Sequence, residues 1–374
     1  MRYRVQSPGI KLIAELFNAS NKSVANIDVP LNDPTDWELA TATFAPSDST
    51  QAGKLFIRFE GIGKIDIELA ELDGAEDCLV VNSGCTAIFL SIFSQVKSGD
   101  HIVAVKGVYT WTEKLLRHIL PAYGVTTTWI DGTSIINFEQ AIQPNTRLIY
   151  LESPTSWVFE EQPLADVVAL AKKNNILTVI DNTYFTPIYQ KVMKMGVDIA
   201  IQSASKYIGG HSDTIAGVIC ASKSIIEKIY NSEFLNIGAG IMPFNAWLLI
   251  RGLRTLSIRL EKIRKTTPLV VIFLLRHPEV KKVLSAPNGF GLLTMILKTT
   301  SRNSVIQFCE SLQHIPMAVS WGGYESLIMP RCVHIPENEF DPSIESHRSV
   351  RLYIGLEEPS VIIEDLQQAL ATIQ

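Results

Sequence analysis

The chain has 374 residues, with 33 Lys+Arg against 38 Asp+Glu and a formal net charge of −5 at pH 7. Hydrophobic residues make up 47% and charged ones 19%, which suits a large packed core and excludes a disordered chain. The acidic balance argues against nucleic acid as a partner, and no run approaches the ~18 apolar residues of a membrane span.

Five scattered cysteines (Cys78, Cys85, Cys220, Cys309, Cys332) show no CxxC spacing. They suggest neither a disulfide framework nor a zinc site and fit a cytoplasmic protein. The N-terminus lacks the long apolar stretch of a signal peptide.

Residues 1–54 are rich in Asn, Asp, Pro, Ser and Thr and read as an arm with limited structure of its own. From residue 78, short apolar runs alternate with amphipathic stretches. CLVV (78–81), HIVAV (101–105), VTTTWI (125–130), RLIYLE (147–152), ILTVID (176–181), DIAIQS (198–203) and GVICAS (217–222) read as strands. They lack clean period-two alternation, as strands buried on both faces do. Segments 84–97, 111–122, 163–174 and 189–195 between them read as helices. This alternation predicts a mainly parallel, doubly wound α/β sheet, with ligands at the carboxyl ends of its strands.

After residue 235 the texture changes. Residues 244–276 are long and helix-like. VKKVLS, GLLTMILK, MAVSW and VRLYIG then read as strands beside helices at 302–312 and 360–373. The expected organisation is an arm (1–54), a large α/β domain (55–235) and a smaller C-terminal α+β domain (236–374).

Three segments carry candidate chemistry. In IQSASKYIGGHSD (201–213), Lys206 follows a short apolar strand. Desolvation favours loss of its proton, which makes it a nucleophile for aldehydes. A surface lysine in a Ser/Gly loop is the plainer alternative. In ILTVIDNTYF, Asp181 at a strand end suits a cationic ring nitrogen, or simply forms a turn. In VVNSGCTAI (80–88), a strand meets a helix start whose amides suit a phosphate, or merely make a tight turn.

Together these segments resemble the trans-sulfuration (Cys/Met metabolism) family of pyridoxal-phosphate enzymes. The likeness runs from about residue 40 to the C-terminus. It rests on FIR (56–58), SGCTAI (83–88), VYTWT (108–112), ESP (152–154), DNTYF (181–185), SASKYIGGHSD (203–213), WLLIRGLRTL (247–256), SWGGYESL (320–327) and VRLYIGLE (350–357). SWGGYESL is most similar to bacterial cystathionine β-lyases.

The resemblance implies the aspartate aminotransferase fold type I and the cofactor pyridoxal 5'-phosphate. Lys206 aligns with the lysine that bonds the cofactor as a Schiff base and later shuttles protons. Tyr109 aligns with a catalytic aromatic that stacks on the ring, and Asp181 with the partner of the ring nitrogen. Thr183 sits beside the ring. Gly84, Cys85, Ser203 and Ser205 match phosphate ligands. Arg58 matches an arginine that reaches a neighbouring subunit's phosphate, which implies a homodimer or homotetramer with shared sites. Arg351 matches the binder of the substrate carboxylate, and Ser320, Trp321 and Ser156 line the same pocket.

The implied activity is β-elimination from a sulfur amino acid, with cystathionine foremost. Alternatives are γ-elimination or γ-replacement on an activated homoserine or unusual amino acid, and a degenerate homologue that only binds. The chain departs from the family at Phe56, where a tyrosine is usual, and at Ser156-Trp157, which replace Asn-Pro. Trp111 stands where methionine γ-lyases have cysteine, and Val319 where cystathionine γ-lyases often have glutamate. The stretch around VLSAPNGFGLL is shorter than usual.

Overall fold

The computed structural model describes residues 73–373, Leu69, and the backbone of five strands within residues 1–60. Residues 1–69 and 70–374 form separate compact units.

In the first unit the strands are β1 (Arg2–Tyr3), β2 (Lys11–Phe17), β3 (Ser23–Val29), β4 (Glu38–Leu39) and β5 (Lys54–Glu60). β2 lies between β3 and β5 in an antiparallel sheet, and β1 pairs with β4. Strands therefore form where composition suggests a plain arm. The polar residues cluster in the connections, and KLIAELF and KLFIRFE are themselves apolar enough to pair. Arg58 and Phe56 belong to β5, and their side chains lie outside the described residues.

The second unit opens with β6 (Asp77–Val81), β7 (His101–Val105), β8 (Thr126–Ile130), β9 (Thr146–Glu152), β10 (Leu177–Asp181), β11 (Ile199–Gln202) and β12 (Gly217–Ala221). They form one sheet in the order β6-β12-β11-β10-β9-β7-β8. The strands from β7 to β11 run parallel to one another. β12 runs against both of its neighbours, so β6 points with the rest. HIVAV, IAIQ and GVICA are buried at every residue, which explains their unbroken apolar character. Helices α1 (Gly84–Phe93) and α2 (Leu164–Lys173) follow β6 and β9. The helix expected at 189–195 is instead two single turns, Thr186–Tyr189 and Val192–Met195, separated by an extended Gln190.

The long helical stretch breaks into α3 (Pro243–Leu253) and α4 (Leu256–Arg276). Then come β13 (Val280–Leu284), β14 (Leu292–Leu297), α5 (Arg302–Glu310), β15 (Leu327–Pro330), β16 (Ser349–Tyr353) and α6 (Pro359–Leu370). The four strands pair antiparallel in the order β13-β14-β16-β15. Leu274, Leu293, Met295, Phe308, Leu352 and Leu366 pack the core between this sheet and its helices. Burying each such side chain contributes ~1.5–3 kcal/mol. MAVSW is not the strand its pattern suggests: Met317 makes only an isolated bridge to Ile328. Pro316 and the Gly322-Gly323 pair bracket it, and LIMP at 327–330 takes the edge instead.

Candidate active site

Parallel register puts the carboxyl ends of β9, β10 and β11 side by side. Glu152 pairs with Asp181, and Asp181 with Ile201. The chain leaving β11 therefore delivers Ser203 beside Thr183 and brings the Lys206 charge within reach of Asp181. Thr183 stitches this edge together. Its amide (3.0 Å) and hydroxyl (2.5 Å) donate to Asp181 Oδ1, while its Oγ1 accepts from the Ser203 amide at 2.7 Å.

Glu152 anchors the next two loops. Its Oε2 accepts from the Tyr109 amide at 2.7 Å, and its Oε1 from the Ser156 hydroxyl at 2.7 Å. Burial, then the neighbouring Asp181, pushes the Glu152 carboxyl up to about 8. Burial raises Asp181 too, opposed by the Thr183 hydrogen bonds and the Lys206 charge. Such an edge favours a cation placed against Asp181.

Lys206 extends its amine to Ser320, donating to Oγ at 2.9 Å, and lies 5.6 Å from the Trp321 ring centroid. Burial, then the positive charge of Arg351, lowers its pKa to about 8. Arg351 donates to the Val319 carbonyl and to Met329 Sδ at 3.8 Å, with its Cζ 5.2 Å from the Trp157 ring centroid. Burial brings Arg351 down to about 10, so it stays charged at neutral pH.

The first turn of α1 abuts Ser203. Ser83 caps the helix by accepting from the Thr86 amide at 3.1 Å, which leaves the amides of Gly84 and Cys85 as the helix's free donors. A Cβ on Gly84 would stand 2.8 Å from Ser203 Oγ, so only glycine allows this approach. Ser203 Oγ has no hydrogen bond among the described residues. Ser205, grouped with it on sequence, is turned away: its hydroxyl donates to the Ala216 carbonyl (3.2 Å) and accepts the Ala216 amide (3.0 Å). Tyr109 is 41% exposed, enough to present its ring, and its hydroxyl accepts from Cys85 Sγ at 4.0 Å. Burial, then Cys85, raises its pKa.

Residues 62–371 match the family described as Cys/Met metabolism PLP-dependent enzymes. The chain belongs to that family. It is 34% identical to a cystathionine γ-lyase of Macaca fascicularis, covering 81% of this chain and 79% of the relative. It is 31% identical to a cystathionine β-lyase of Escherichia coli, covering 82% of each. Among solved structures, a putative O-acetylhomoserine (thiol)-lyase of Campylobacter jejuni superposes with a TM-score of 0.76 at 26% identity, over 82% of this chain and 85% of that one. That structure carries a pyridoxyl-lysine phosphate.

This enzyme is thus a pyridoxal-phosphate-dependent carbon–sulfur lyase of fold type I. Its residues fit the cofactor: a glycine-only approach between a helix N-terminus and an unengaged serine suits a phosphate, and a buried carboxyl group suits a protonated ring nitrogen. Sequence reasoning missed Glu152, although its place at the end of an apolar run is the same signal that marks Asp181. It also missed Gly322, at φ +86° against the Lys206 backbone.

Proposed function

We propose that this enzyme cleaves the Cβ–S bond of a sulfur amino acid, with cystathionine as substrate, and that water then completes its conversion to homocysteine, pyruvate and ammonia. The observation supporting this most directly is the Lys206 amine, held at 2.9 Å by Ser320 beside the Trp321 ring.

The cofactor would be held by Lys206 covalently, Asp181 at the ring nitrogen, Tyr109 on the ring face, Thr183 beside the ring, and Gly84, Cys85 and Ser203 at the phosphate. When bound, it supplies an electron sink for the charge left when the substrate loses its Cα proton. Arg351 binds the α-carboxylate through its planar fork. With its amine free, Lys206 would be the base for that proton. Its lowered pKa leaves a useful neutral fraction near pH 7–8. Ser320 keeps the amine oriented beside the Trp321 ring. Glu152 positions Tyr109 through its amide.

A γ-elimination reading draws on the Macaca relative, which bears a γ-lyase name. It requires a second proton to leave Cβ. Keto-acid identification with cystathionine separates the two: pyruvate supports β-elimination, and 2-oxobutyrate overturns it.

The reading extends to a cytoplasmic homodimer or homotetramer in which Arg58 reaches the neighbouring subunit's phosphate. Residues 1–54 are then the arm, 55–235 the cofactor domain and 236–374 the C-terminal domain.

A further inference from the structure

Strand β15 ends at Pro330, and a 3-10 turn, Arg331–His334, follows. In the antiparallel pair of β15 and β16, Met329 stands opposite Arg351 and Pro330 opposite Val350. Side chains two residues apart on extended chain share a face, so Arg331 leaves the strand on the side of Met329 and Arg351. Both guanidinium groups end at one indole. The Cζ of Arg331 and that of Arg351 each lie 5.2 Å from the Trp157 ring centroid.

Trp157 is itself constrained. Its φ of +70° is a left-handed conformation that a bulky L residue adopts only when its surroundings impose it. The preceding residue, Ser156, is tied by its hydroxyl to Glu152 (2.7 Å) and by its amide to the Gly107 carbonyl (2.8 Å). The turn thus holds the indole in place beside two arginines. Arg331 is half-buried and has no carboxylate partner among the described residues. Both guanidinium groups are partly desolvated, which favours an anion placed against each.

We propose that Arg331 is a specificity residue that binds a second carboxylate, carried on the leaving group of the substrate. Resting on the reading of Arg351 as holder of the α-carboxylate, this makes Arg331 the side chain that selects substrates with a carboxylate at the far end. Arg351 grips the reacting end, and Arg331, at the same indole, grips the far end with the same bidentate geometry.

The test uses the holoenzyme and two probes of equal length, S-(3-carboxypropyl)-L-cysteine and its terminal amide. Dissociation constants are read from the change in the cofactor's visible spectrum, whichever bond is cleaved. The wild-type enzyme should bind the acid ~10- to 100-fold more tightly than the amide, the scale of a hydrogen-bonded charge. Arg331→Gln should abolish that preference by weakening the acid alone, and Arg331→Lys should restore part of it. Equal affinities in the wild type overturn the proposal without recourse to a variant, as does a preference surviving in Arg331→Gln. Arg351→Lys should weaken both probes alike. If it weakens neither, the α-carboxylate reading fails separately.

Discussion

Gly322 packs onto the backbone of Lys206: a Cβ at residue 322 would stand 2.8 Å from the lysine Cα. With φ at +86°, the position also disfavours any L side chain. Gly322→Ala should therefore displace the lysine and pull its amine away from Ser320. Misplacing a reacting group by about 1 Å costs on the order of 10²-fold in rate. The variant should still bind cofactor, seen in its visible band, while kcat falls by about that factor. A variant turning over at the wild-type rate would show that this contact does not position the lysine.

The amine of Lys206 should titrate early. Burial, then Arg351, lowers its pKa from 10.5 to about 8, and only the neutral amine attacks an aldehyde. Reductive trapping of pyridoxal on cofactor-free protein should rise through about pH 8, with the label on the Lys206 peptide. Arg351→Gln removes the repelling charge and should move the midpoint upward. The linked stability has the same origin. Between about pH 8 and 10.5 the unfolded lysine holds a proton that the folded one has released, so this group's contribution to stability rises with pH across that window. A trapping midpoint near 10.5 would contradict the burial argument.

Arg351→Lys keeps the charge and loses the planar fork. We expect kcat/KM for amino-acid substrates to fall at least ~10- to 100-fold, the scale of hydrogen bonds to a charged group, with cofactor affinity unchanged. An unaltered kcat/KM would place the substrate carboxylate elsewhere.

Arg58 offers a test of subunit sharing. Arg58→Ala and Lys206→Ala homomers should each be nearly inactive. Mixed dimers should regain part of the activity, because one composite site then holds both native residues. Verified mixed dimers without recovery would place Arg58 outside its neighbour's site.

The doubly buried strands were legible because burial on both faces leaves runs such as HIVAV and LTVID almost wholly apolar. Lys206 and Asp181 were legible for a related reason: a charged residue closing such a run has few structural excuses. The sequence did not reveal that Ser205 spends its hydroxyl on Ala216, since its small-residue loop reads the same in either orientation. Nor did it reveal Arg331, which shares the Trp157 indole with Arg351 because β15 and β16 pair in one register. MAVSW misled because its composition suits a strand, while the flanking proline and glycines decide otherwise.

The reversed strand β12 also dictates a timetable. β11 and β12 are sheet neighbours joined by the loop that carries Lys206, so their pairing closes a short stretch of chain. β6 joins the opposite side of β12, and every other strand of that sheet lies between the two in sequence. Closing so long a stretch carries a larger entropic cost than closing the β11–β12 hairpin, so we expect this pairing to follow that one. β6 leads directly into α1, so the proposed phosphate cradle is complete only once this edge strand has paired. Any ligand gripping that cradle then acts as a latch on the seam between β6 and β12.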